Sequence, residues 1–171
     1  VNGTLLVKAH AHRADDIVTA IRIAKEFGLK LTIEHCTEGR LIVDYLKEEG
    51  ITVCIGPTFG DRGKPELKNK DFKMMGVLEK AKVPFAIITD ANEIPEYELI
   101  TCARLAHLRG ISEECALLSV TAVAADACEI GNRVGRIKVG LDADLAVYEG
   151  NPLSFDSIIK DRYLEGERIK L

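Results

Sequence analysis

Between Gly3 and Gly140, short apolar runs alternate with segments whose apolar residues recur every three to four positions, and a glycine closes most of these segments. GTLLVKAHA, LKLTIEH, ITVCIGP and VPFAIITD have the length and apolar content of strands. ADDIVTAIRIAKEFG reads as a helix, with Ile17, Ala20, Ile21 and Ala24 on one face and Gly28 as its stop. TEGRLIVDYLKEEG, FKMMGVLEKAK, YELITCARLAHLRG and ISEECALLSVTAVAADACEIG follow the same helical period. Strand-helix units joined by short links demand parallel strands and right-handed crossovers. Strands that are apolar on nearly every residue are expected where both faces of a sheet are covered. These constraints leave a barrel segment or an open doubly wound sheet. Beyond Gly131 the pattern changes. RVGRIKVG, ADLAVYEG and the pair IIKDRYL and ERIKL look like short antiparallel strands, with Glu165-Gly166 as a tight hairpin turn.

Composition narrows the function classes. The chain has 171 residues, 47% of them hydrophobic, enough to bury one sizeable core. Its net charge of −4 argues against a nucleic-acid or anionic-membrane partner, since both recruit clustered Lys and Arg. No apolar run approaches the ~18 residues of a membrane span, and no signal peptide opens the sequence. The cysteines (Cys36, Cys54, Cys102, Cys115 and Cys128) are odd in number and lack CxxC spacing, so reduced thiols in a cytoplasmic protein are expected.

In a parallel α/β fold the reactive side chains gather at the carboxyl ends of the strands. Here those ends carry His10 and His12, then Glu34 and His35, then Gly56, Pro57 and Thr58, then Thr89 and Asp90. Three of the chain's four histidines and a carboxylate therefore converge on one rim. Imidazole and carboxylate suit a divalent ion, zinc foremost. His10 and His12 face the same side of an extended strand and either chelate together or divide the roles of ligand and substrate contact. GPTFGDRGKPELKN lacks the spacing of a phosphate-binding loop and reads as a mobile loop over the site, with Arg62 and Lys64 as candidates to hold an anionic group of a small-molecule substrate. His107, Asp15, Asp16, Asp142 and Asp144 read as structural.

The segments VKAHAHRADDIVTAIRIAKEFGLKLTIEHCTEG, GPTFGDRGKPELKN, AIITDANEIP and RVGRIKVGLDADLAVYEGNPL resemble, in order, the second half of amidohydrolase-superfamily proteins, most closely the imidazolonepropionase-like branch. The resemblance implies the carboxyl-terminal half of a (β/α)8 TIM-like barrel, strands five to eight, over residues 1–130. Residues 131–171 then form the remnant of a small β-sandwich. It implies metal-dependent hydrolysis of carbon–nitrogen bonds other than peptide bonds, in cyclic amides of the imidazolone type. Carried over by position, His10, His35 and Asp90 match the metal ligands, Asp90 also matches the catalytic general base, and His12 matches a position common in this branch, read as a substrate contact or as a support behind the ligands.

Two positions depart from the family pattern: Ala91 stands where His often follows the Asp, and Val123-Ala124 where Asn-Pro is common. The first-strand HxH pair has no counterpart, so in family terms the sequence starts at the fifth strand. The expectation is a fragment inactive alone, with weak or absent metal, whose missing amino-terminal half completes it. The alternative is a non-catalytic half-barrel that hides its open edges in a homo-oligomer.

Overall fold

The computed structural model describes residues 3–170. Four parallel strands, β1 (Leu6–Ala11), β2 (Lys30–His35), β3 (Thr52–Ile55) and β4 (Phe85–Ile87), form one sheet in the order β1-β2-β3-β4. Between them run α1 (Ala14–Glu26), α2 (Val43–Glu48) and α3 (Lys73–Ala81). After β4 come α4 (Leu99–Leu108), α5 (Glu113–Ser119) and α6 (Ala122–Ala127). The chain is thus a mixed α/β structure with a parallel sheet. Among the described residues no helix is long and apolar enough to cross a membrane.

The helical period of the sequence becomes the packing. Ile17 and Ile21 of α1 are fully buried beside Ile33, Val53, Leu46 and Leu78. Each such side chain contributes roughly 1.5–3 kcal/mol by leaving water. α1 ends as its sequence predicts: Gly28 has φ +60°, and the amide of Leu29 donates to the Ala24 carbonyl in a closing turn. Helices α1 to α5 cover one face of the sheet. The other face is covered differently. There Ala124 and Ala127 of α6 pack on Cys54, Ala86 and Ile88, while Lys8 and His10 of β1 stay exposed. The expectation of two covered faces therefore holds at β3 and β4 and not at β1.

Three sequence expectations differ from the structure. TEGRLIVDYLKEEG opens as a 3-10 turn over Gly39–Ile42 before α2 begins, and Leu41 in that turn is 57% exposed. Gly39 lies where a Cβ would meet Cys36 Sγ at 2.5 Å and Met74 Cε at 2.6 Å, so the turn is drawn tight against the core. The segment read as one helix from Ile111 to Gly131 is two helices, broken at Val120 and Thr121. The hydroxyls of Ser119 and Thr121 bond back to the carbonyls of Ala116 and Leu117, competing with the helical ladder there. The break lets α6 swing onto β3 and β4. RVGRIKVG is not a strand. It is pinned by side chains instead, with Arg136 bidentate to Asp126 and Arg133 paired to Asp142, and Ile137 stands 92% exposed.

The remaining strands, β5 (Leu145–Glu149), β6 (Ile158–Leu164) and β7 (Glu167–Ile169), form an antiparallel sheet in that order. Glu165 and Gly166 both have positive φ, 50° and 83°, as a two-residue hairpin turn requires. Leu171, the last residue of the expected final strand, lies outside the described residues. Cys36, Cys54, Cys102, Cys115 and Cys128 are all free thiols. Burial raises the Cys36 and Cys54 thiols to about 12, which leaves them inert at neutral pH.

Candidate metal centre

Parallel pairing puts the four carboxyl ends on one edge. His10 lies opposite Glu34 and Ala11 opposite His35 in the β1–β2 register. His12 follows directly after β1, and Asp90 three residues after β4. The rings of His10, His12 and His35 meet there, with centroids 4.6 Å (10 to 12), 4.3 Å (10 to 35) and 4.7 Å (12 to 35) apart. One nitrogen from each ring lies within 4.8 Å of the other two.

His35 reaches this cluster by a change of backbone hand. Strict alternation would aim it away from Glu34, to the side of Ile33 where the helices pack. Instead His35 and Cys36 have φ of 70° and 50°, the left-handed region that costs a non-glycine residue stability. The turn brings His35 Nδ1 to 2.5 Å from the Gly56 carbonyl. A carbonyl only accepts, so Nδ1 carries the proton and Nε2 keeps its lone pair for a ligand. Gly56 admits no side chain in return, because a Cβ there would lie 1.9 Å from the Ile88 carbonyl oxygen.

His12 is held as firmly. Its Nδ1 lies 2.8 Å from Thr37 Oγ1, and both side chains are buried. Desolvation, followed by the neighbouring charges of His35, His10 and Lys64, lowers its pKa from 6.5 to about 4. His10 is exposed, and its pKa is also lowered, by desolvation first and then by His35 and Lys64. Both imidazoles are therefore neutral at pH 7, the form that binds metal. Three nitrogen donors gathered in this way could hold a metal ion.

The cluster opens into a cavity of about 340 Å³. Asp90, Lys64, Asp61 and Glu93 line it with an apolar wall that includes Phe72, Met74 and Met75. Asp90 also has positive φ, 54°, and both His10 and His12 feel its charge. The Lys64 ammonium has no hydrogen-bond or ion-pair partner among the described residues, although its carbonyl accepts from the Leu67 amide. Arg62 is turned elsewhere: its guanidinium donates to the Lys70 carbonyl at 2.6 Å, beside a neighbouring hollow lined by Phe59 and Gly60. The structure thus gathers His10, His12, His35, Asp90 and Lys64 around one cavity and leaves Arg62 outside it.

His12, which the sequence leaves as a substrate contact or as a second chelating ring beside His10, contributes the third ring of the cluster. Sequence reasoning misses Thr37, whose hydroxyl marks no pattern in one sequence. Glu38 is missed as well. The Ala14 amide and then the Asn69 side chain hold its carboxyl below the usual carboxylate range. His107 is structural as expected, with Nδ1 2.9 Å from the Ile111 carbonyl.

Comparison with known proteins points the same way. The sequence pattern of the amidohydrolase family matches residues 3–166. Amidohydrolase tasK of Hapsidospora irregularis is 23% identical over 181 aligned residues, which cover 97% of this chain and 17% of that protein. The crystal structure of an amidohydrolase from Thermotoga maritima MSB8 aligns with a TM-score of 0.93 at 38% identity, over 97% of this chain and 43% of that one. An Xaa-Pro dipeptidase solved with methionine in its active site aligns at a TM-score of 0.77 and 22% identity, over 97% of this chain and 45% of its own, a likeness of fold alone. The chain therefore spans less than half the length of these relatives. With the family pattern running through nearly the whole described chain and the histidines gathered at the strand ends, this chain belongs to the amidohydrolase family.

Proposed function

We propose that this chain is the carboxyl-terminal part of a divalent-metal hydrolase acting on carbon–nitrogen bonds of small molecules other than peptides. One observation carries the reading: three imidazole nitrogens within 4.8 Å of one another, at the carboxyl edge of a parallel sheet. On this reading the four parallel strands, within residues 1–130, are half of an eight-stranded β/α barrel. Residues 131–171 then belong to a small β-sandwich. Support comes from the alignment at TM-score 0.93 with less than half of a longer amidohydrolase.

His10, His35 and His12 would hold the ion, and the chemistry of these donors suits zinc. The burial of His12 and its bond to Thr37 favour a ligand over a substrate contact. When bound, such an ion supplies Lewis-acid polarisation of water and of the scissile carbonyl. Asp90 stands at the rim as a further ligand and as the general base. Its carboxylate takes the proton of the attacking water and returns it to the leaving nitrogen as the C–N bond breaks. Lys64, its ammonium unpaired on the cavity wall, receives an anionic group of the substrate. Arg62, already bonded to the chain, is the weaker candidate for that task.

The test is a zinc titration of the purified chain followed by native mass spectrometry, then a hydrolysis screen. The panel holds cyclic amides, with proline dipeptides as peptide-bond controls that are expected to stay intact. The wild type is expected to take up one zinc ion weakly, as half of a site should, and His35→Ala to lose that uptake. Equal zinc binding by the two proteins, or none by the wild type, would overturn the proposal.

A further inference from the structure

The segment after His35 touches three parts of the rim. The Glu38 amide donates to the His12 carbonyl at 2.8 Å. Its Oε2 accepts from the amide of Ala14 at 3.0 Å, and its Oε1 accepts from Asn69 Nδ2 at 2.6 Å. Ala14 opens α1, whose N-cap residue Arg13 makes no side-chain cap bond. Glu38 therefore supplies from another element the acceptor that this helix start lacks, and its negative charge suits that end of the helix. Asn69 sits in the connection between β3 and α3, among Lys64, Leu67, Lys70 and Asp71, which line the cavity.

We propose that Glu38 is a positioning residue: its two carboxylate oxygens tie the cavity loop, at Asn69, to the corner that carries His12. Thr37 holds the ring of His12 and Glu38 holds its backbone on both sides, at its own carbonyl and at Ala14. The same carboxylate grips the loop that presents Lys64. A group bound by the loop thus pulls on the imidazole cluster through a single side chain. A carboxylate suits the task because both its oxygens accept and both partners are N–H donors. The proposal rests on the preceding reading only in taking the imidazole cluster as the working centre.

Amide hydrogen exchange of the metal-free chain tests the tie. Asn69→Asp sets two carboxylates against each other. It is expected to speed exchange about tenfold in residues 64–72 and also in residues 12–15, which the substitution does not touch. Asn69→Ala removes the bond without the repulsion and should raise exchange in the same two segments by less. Adding Glu38→Gln to Asn69→Asp restores an amide facing a carboxylate with the roles exchanged, while the new carbonyl oxygen still accepts from Ala14. Exchange in both segments should then return to within about twofold of the wild type. Faster exchange confined to the loop, or no rescue in the double variant, would overturn the proposal. Zinc titration of the same proteins separates the two readings: a wild type that binds no zinc but shows the rescued coupling would sink the hydrolase reading and leave the tie standing.

Discussion

His12 shows what burial does to a single side chain. Its imidazole has a pKa of about 4 in the folded chain, against 6.5 when exposed. Between those values the unfolded chain binds a proton that the folded chain does not. The stability contribution of the neutral ring is complete above pH 6.5 and is lost as pH falls towards 4. His10, lowered in the same direction, adds to the trend. The thermal midpoint of the metal-free chain should therefore drop between neutral pH and pH ~4.5, above the range where most carboxylates titrate. His12→Asn should flatten that drop. An equal drop in both proteins would mean that the ring does not titrate with unfolding.

At the scale of the elements, two glycines make opposite predictions from the same substitution. Gly56 ends β3 against β4, and a Cβ there would meet the backbone of Ile88. Backbone cannot step aside as a side chain can, so Gly56→Ala should destabilise the chain by about 1–3 kcal/mol or more. It should also displace the carbonyl that orients His35. Gly76 lies inside α3 with nothing within 4 Å of a new Cβ. There Gly76→Ala should stabilise by about 0.5–1 kcal/mol, because glycine loses more backbone freedom in a helix. Denaturant unfolding of the two variants checks both signs, and a stabilised Gly56→Ala would show that β3 and β4 do not approach as closely as described.

For the whole molecule, what is uncovered matters most. β1 and β4 are the edges of the parallel sheet, and the face of β1 bearing Lys8 and His10 is open. Ile137 and Val139 stand fully in solvent in a stretch that has strand composition and forms no strand. Exposed edges and apolar residues invite pairing with another chain. Sedimentation velocity over a wide dilution series should show mass above that of one chain at the concentrated end. Replacing Ile137 and Val139 together by Lys should reduce it. A single-chain mass at every concentration would argue against self-association.

Much of this architecture can be read in one dimension. Period-two and period-3.6 patterns determine which segments are strands and helices, and short links force the strands to run parallel. Those two constraints suffice to bring His10, His35 and Asp90 to one edge, and the strand period puts His10 and His12 on one side. The aim of the side chains is decided only in three dimensions. His35 turns into the cluster through a left-handed backbone, repaid by the Gly56 carbonyl, and no local pattern encodes that exchange. Arg62 leaves the cavity because a carbonyl eight residues along the chain captures it. Ser119 and Thr121 end a helix by bonding to carbonyls that their neighbours needed. Sequence by itself determined periodicity, since that follows from backbone geometry. Tertiary structure decided direction, since each polar group at the rim settles on whichever partner the fold brings within reach.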